Sequence, residues 1–143
     1  MVDVVSRATR SRMMSGIRGK NTAPELIIRS LLHRNGFRFS LHRKDLPGTP
    51  DIVMPSREIV VFVHGCFWHG HRCKIFKWPK TNAKFWREKI SGNVARDRRS
   101  QSLLLQLGWR VVVFWECEVR RALRLGHLHL LLGRITKNVR GRD

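Results

Sequence analysis

The stretch Ile59-Val-Val-Phe-Val-His64-Gly-Cys66-Phe-Trp-His69-Gly-His71-Arg-Cys73 decides how this chain is read. Ile59 to Val63 is an unbroken β-branched and aromatic run, the pattern of a strand buried on both faces. The residues after it have no periodicity and carry unusual chemistry. Cys66-x4-His71-x-Cys73 places three soft metal ligands within eight residues, and Cys117 stands 44 positions after Cys73. Three cysteines and one histidine are a common donor set for structural zinc, and a closed four-ligand site leaves no position for a catalytic water. These spacings are not those of a common finger, so buried free thiols beside an unrelated histidine are the alternative. His69 competes with His71 for the ligand position on the same grounds.

Outward from this block the elements alternate. Upstream, Thr22-Ala-Pro-Glu25 matches a capping box with Thr22 as N-cap and Glu25 at N3. Leu26, Ile27, Leu31 and Leu32 then recur at helical spacing, and Asn35-Gly36 stops the helix. Phe37-Arg-Phe39-Ser-Leu41 alternates as a strand does. A turn, Leu46-Pro-Gly-Thr-Pro50, leads into a short strand, Asp51-Ile-Val-Met54. Downstream, Thr81 or Asn82 opens a long helix through Phe85, Trp86, Ile90, Val94 and Leu104, ended by Gly108. Arg110–Trp115 reads as a second continuous buried strand, and Val119 to Ile135 as helix broken near Gly126. The order α-β-β-β-α-β-α predicts an α/β protein, a mixed sheet flanked by helices. Residues 1–20 read as a basic arm in which Ser6 caps a short helix displaying Met13, Met14 and Ile17, with a helix docked on the core as the alternative. Residues 21–143 read as a single domain.

The charge points to a polyanionic partner. Lys and Arg number 29 against 10 Asp and Glu, a formal net charge of +19. Such an excess concentrates nucleic acid around the protein and makes binding salt-dependent. An anionic membrane fits less well, because no long Lys-rich amphipathic helix with an aromatic face dominates the chain. No apolar run approaches the roughly 20 residues of a membrane span, and the N-terminus lacks a signal-peptide core. An odd cysteine count argues against a disulfide framework. The expectation is a cytoplasmic DNA-binding protein.

Asp51 opens a strand beside a second strand, where a carboxylate can seat a divalent cation. Magnesium prefers such hard oxygen ligands and can activate water against a phosphodiester. His64 and His69 are placed to shuttle a proton near neutral pH. Each has an ordinary explanation too: Asp51 as a turn cap, His64 as a strand-end histidine, Glu25 as a helix cap, Asp97 as a partner of Arg96, Arg98 and Arg99. Yet Asp97 falls on the stripe of Ile90 and Val94, where a carboxylate needs a partner. Phe67-Trp68, among His, Arg and Lys, suits insertion between bases, with packing beneath the loop as the alternative. Phe85 is expected to face the core instead.

Five blocks together resemble the very-short-patch-repair (Vsr) mismatch endonucleases. They are Leu46-Pro-Gly-x-Pro-Asp51, the Val63 to Cys73 block, Phe85-Trp86-x-x-Lys-Ile90, Asn93-Val-x-Arg-Asp97 and Gly108-Trp-Arg-Val…Trp-Glu-Cys117. The likeness runs from about Ala8-Thr-Arg-Ser11 to Cys117. It implies a restriction-endonuclease-like fold and a magnesium-dependent nick on the 5′ side of the mismatched T in a T:G pair. Such pairs arise from deaminated 5-methylcytosine, which links the enzyme functionally to a cytosine-5 DNA methyltransferase. By resemblance, Asp51 and the carbonyl of Val63 hold magnesium, with Val63 replacing the usual Thr. His64 assists, His69 is the general acid/base, and Glu25 and Asp97 orient it or the waters. Cys66, His71, Cys73 and Cys117 hold zinc. Phe67, Trp68 and Trp86 wedge into the duplex from the major groove, and Met14 and Ile17 approach from the minor groove. Gly70 and Arg72 depart from the family pattern. Cutting one strand needs one active site, so a monomer, associated with the nucleoid, is expected.

Overall fold

The computed structural model describes residues 21–136, so the arm with Met14 and Ile17 lies outside the described residues. Thr22 Oγ1 accepts from Glu25 N at 3.3 Å and opens α1 (Ala23–Arg34). The reciprocal bond reaches one residue further out than expected, since Glu25 Oε1 accepts from Asn21 N at 3.0 Å. The inner face of α1 is Pro24, Glu25, Ile28, Leu31 and Leu32, so Ile28 takes the core place while Leu26 lies open to solvent. Phe37 packs into the core, and only Ser40–Leu41 of the alternating segment pairs, as β1. β2 (Ile52–Met54) and β3 (Ile59–His64) follow, joined by a 3-10 turn at Pro55–Arg57.

A single 24-residue helix, α2 (Ala83–Gln106), then crosses to β4 (Arg110–Trp115). Asn82 is its N-cap residue, in the left-handed region and without a side-chain cap bond. The chain closes with α3 (Glu116–Leu125), ended at Gly126, and the short α4 (Leu128–Leu131) and α5 (Gly133–Thr136). The sheet runs β1-β2-β3-β4, antiparallel at its first two junctions and parallel at β3–β4.

All six residues of β3 are buried, as an apolar run in a central strand should be. Its odd residues, Ile59, Val61 and Val63, join Ile28, Leu32, Phe114, Val119 and Ile135 in one core. Its even residues Val60 and Phe62 meet Leu104 of α2 in the other. This two-residue period sends His64 to the α2 side of the sheet. β4 is an edge strand, so only Val112 and Phe114 are buried, which corrects the reading of a fully buried strand. Gly48 brings the turn before β2 against α2. It has φ +76°, and a Cβ there would stand 2.7 Å from Ser100 Cβ. Glycine alone meets both conditions at no cost.

Candidate active site

The end of β3, the loop after it and the middle of α2 converge. The His64 ring lies flat on that of His69, with centroids 3.8 Å apart and 4° between planes. His69 Nδ1 meets Asp97 Oδ2 at 2.6 Å. The partner that a carboxylate on that helix face needs is therefore a loop histidine, and Asp97 is half-buried rather than sunk in the core. Asp51 is buried at the head of β2, where its Oδ2 accepts from Val63 N at 2.7 Å. Thr49, Asp51, Val63, His64, His69 and Asp97 line one cavity of about 200 Å³.

A second carboxylate stands behind Asp51. Glu25 is 1% exposed, and its Oε2 meets His42 Nε2 at 2.7 Å. Arg29 Nη1 donates to the same oxygen at 3.4 Å. The backbone N–H of His42 donates to the carbonyl of Asp51 at 3.1 Å, and His42 has φ +47°, the left-handed region. One ligand atom each from Glu25, His42 and Asp51 lie within 4.8 Å of one another.

Burial dominates the electrostatics. It pushes the Asp51 carboxyl up to about 7; the Val63 N–H opposes that, and the charge of Glu25 adds to it. Burial also takes His64 down to about 3, helped by His69 and opposed by Asp97. Burial thus favours the neutral imidazole at His64, whose buried Nδ1 has no hydrogen-bond partner among the described residues. A hard cation beside Asp51 would favour its ionised form, so the donor set and its charge both fit a divalent ion.

The sulfur cluster is separate. One ligand atom each from Cys66, His71, Cys73 and Cys117 lie within 4.8 Å of one another. Cys117 Sγ is 3.5 Å from His71 Nδ1, and Cys117 N donates to Cys66 Sγ at 3.4 Å. Zinc–sulfur bonds of about 2.3 Å in a tetrahedron call for edges near 3.8 Å, so the spacing fits such an ion. Burial pushes the Cys66 thiol up, as it does for a thiolate lacking a cation.

Beside both centres the rings of Phe67, Trp68 and Trp86 meet edge to face, with centroids 5.1–5.7 Å apart, and all three are partly exposed. Asn93 Nδ2 holds the loop to α2 through the carbonyl of Trp68 at 2.8 Å. Phe85 is 57% exposed, which corrects the expectation that it faces the core. It falls one residue before Trp86, off the stripe that meets the loop.

The family model for the DNA mismatch endonuclease Vsr matches residues 2–75. The chain is 56% identical to the type II nicking enzyme V.XorIIP of Xanthomonas oryzae over 119 residues, 83% of this chain and 88% of that one. It is 49% identical to the DNA mismatch endonuclease Vsr of Escherichia coli over 120 residues, covering 84% and 77% of the two chains. With V.NmeAIP of Neisseria meningitidis the identity is 42%, over 84% and 86%. The chain belongs to the Vsr family.

For a Vsr protein the geometry sorts the sequence candidates. His71 lies with the cysteines, whereas His69 lies against Asp97. Glu25 sits with His42 and Asp51, so of the two flanking carboxylates it is Asp97 that meets His69. Three further residues at the site were given no role in the sequence reading. His42 stands in a loop with no motif around it. Trp115 stacks on His71 at 4.2 Å and meets His64 edge-on at 5.2 Å. Glu116 Oε1 accepts from Cys66 N at 3.3 Å. Trp115 ends the edge strand and Glu116 opens the helix after it, in the same block as Cys117, where only tertiary contact gives them meaning. No helix among the described residues is long and apolar enough to cross a membrane.

Proposed function

We propose that this protein nicks the T-bearing strand of a T:G mismatched duplex, on the 5′ side of that T, in very short patch repair. The observation that carries the reading is the shared cavity: buried Asp51 faces the His64–His69–Asp97 group beside an aromatic loop. An aspartate at the head of β2, against β3 of a mixed sheet, also supports a restriction-endonuclease-like fold. Residues 1–20 would be a DNA-contacting arm on one endonuclease domain. The mispair would come from deaminated 5-methylcytosine at sites of a cytosine-5 methyltransferase. The enzyme would act as a monomer on nucleoid DNA.

Asp51 and the Val63 carbonyl would hold magnesium, which supplies positive charge to the phosphate and eases deprotonation of the attacking water. Asp97 occupies His69 Nδ1, so His69 exchanges protons through Nε2. Two stacked imidazolium rings would repel, and burial favours the neutral form of His64 in that stack. Cys66, His71, Cys73 and Cys117 would hold one zinc ion as a clamp on the loop.

End-labelled T:G and T:A duplexes with Mg²⁺ test the reading. We expect one nick on one strand of the T:G substrate only. Equal cutting of both would make this a nuclease of paired DNA, and binding without cutting in Mg²⁺ or Mn²⁺ would make it a binding module. Phe67→Ala with Trp68→Ala should lower the T:G over T:A preference by about tenfold or more, since a stacked base contributes about 1–3 kcal/mol. An unchanged ratio would remove these rings from the wedge. His42→Ala should lower kcat by about 10- to 100-fold with KM little changed, as loss of an outer-shell partner of a metal site does. His42→Gln keeps a donor for Glu25 and should retain most activity; equal loss in both variants would contradict the orienting role.

A further inference from the structure

We infer that Trp115 is a positioning residue for the nicking reaction: its indole holds the ring of His64 in place by packing, and His71 of the Cys/His cluster fixes the plane of that indole. This role rests on the DNA-nicking reading above, in which His64 serves the reaction, and adds to it a residue that has no task there.

Strand register brings the two side chains together. His64 ends β3, Trp115 ends β4, and they are partners across the parallel junction. Register partners project to the same face of a sheet, so the indole stands with His64 on the α2 side. Trp115 is half-buried and belongs to neither apolar core. Core formation therefore does not account for so large a ring at this position. The backbone beneath it is fixed: Trp115 N donates to Glu118 Oε1 at 2.9 Å, and Glu116 Oε1 accepts from Cys66 N at 3.3 Å.

His64 needs such a neighbour. The orientation of a working imidazole is usually set by the hydrogen bond that its second nitrogen makes. His69 has one, between Nδ1 and Asp97. The buried Nδ1 of His64 has none among the described residues, so the rings packed around it decide its angle. His69 lies flat on it at 3.8 Å, Phe62 is tilted against it at 5.4 Å, and Trp115 meets it edge-on at 5.2 Å with 69° between planes. Phe62 belongs to the core below, and His69 is carried by the loop. Among the described residues Trp115 is the ring that contacts both His64 and His71, lying on the latter at 4.2 Å with 11° between planes. A stacked ring cannot tip without losing its partner's face, and an edge contact resists turning of the ring it meets. The indole thus passes the fixed plane of a cluster histidine to an imidazole that lacks a hydrogen bond of its own.

Trp115→Leu and Trp115→Phe in the full-length protein test the role. Leucine is apolar but has no flat ring, so kcat on the T:G duplex should fall about 10- to 100-fold while KM changes less than about threefold, as when an orienting group is lost. Trp115→Met serves as the non-aromatic variant should leucine destabilise the fold. Phenylalanine keeps a face for His71 and an edge for His64, and should retain most of kcat. In a His64→Ala background, Trp115→Leu should cost less than about a further twofold, because a residue that acts through His64 has nothing left to place. Zinc content by elemental analysis should match the wild type in every Trp115 variant. Equal loss of kcat with leucine, methionine and phenylalanine overturns the positioning role, as do multiplying losses in the double variant. Zinc lost from the leucine and methionine variants would show that the ring serves the cluster and not His64, and also overturns it. The wild-type preference for T:G over T:A is read in the same assay. Its absence would overturn the function, whereas its presence with Trp115→Leu as active as the wild type overturns the positioning role alone.

Discussion

Asp51→Asn is expected to abolish nicking and, with divalent ions removed, to raise the melting temperature at pH 8. The first effect follows from removing the charged oxygen ligand while keeping an acceptor for Val63 N. A loss of at least about 100-fold is expected, the upper range for loss of a mere outer-shell partner. The second follows from burial. The folded carboxyl titrates near 7 and an ordinary one near 3.8. Between those values the folded state keeps a proton that the unfolded state has lost, so its contribution is full below about pH 4 and is lost as pH rises through 7. At about 1.4 kcal/mol per unit, up to about 4 kcal/mol is at stake at pH 8, or several degrees of melting temperature. Asparagine carries no such charge. His64 has the opposite slope, because its folded value near 3 lies below the ordinary 6.5. Its contribution is full above pH 6.5 and is lost as pH falls towards 3. The stability gap between variant and wild type should therefore be widest at pH 8 and close towards pH 4. A variant that nicks at the wild-type rate would end the catalytic assignment. An inactive variant no more stable than wild type at pH 8 would leave catalysis standing and remove the electrostatic account.

That trade also explains what the sequence made legible. β3 was readable because its unbroken apolar run, Ile59 to Val63, fits a strand buried on both faces, and a period of two places His64 on the α2 side. The cap at Thr22 and the stop at Gly126 were readable because local hydrogen bonding decides them. The cysteine cluster was half-legible. Residue types and spacing named the donor set but left His71 and His69 open; the resemblance chose His71, and in the fold it is His69 that faces Asp97. β4 was misread because an edge strand and a central strand share one apolar vocabulary, and its position is a property of the whole sheet. His42 was invisible for a deeper reason. Its role comes from a left-handed backbone that points it at a buried glutamate 17 residues away, and no periodicity encodes that.

Cys117→Ser should cost the protein the proposed zinc, the order of its loop and its activity together, although Cys117 touches no group proposed to act on the phosphate. Cys66 to Cys73 contains no regular secondary structure. It is held by turn bonds such as His71 N to Cys66 O at 2.9 Å, by Asn93, and by the cysteine cluster. Its span carries Phe67 and Trp68 as well as His69, so one cation would fix both the proposed wedge and the proposed general acid/base. Apparent binding of structural zinc in small fingers is about 10–16 kcal/mol, comparable with the whole stability of a domain. The thiols are poor substitutes for a clamp, because burial holds Cys66 protonated without a cation. The two apolar cores are built from other residues, so the sheet should survive. The expected result is far less than one zinc per chain by elemental analysis, with nicking down at least about 100-fold as in the loss of a supporting metal shell. Amide exchange should accelerate over residues 65–73 while β3 stays protected. One equivalent of zinc retained with exchange unchanged would show that Cys117 is not a ligand. Zinc lost with nicking intact would separate the metal from the catalytic loop and leave His69 positioned by Asp97 alone.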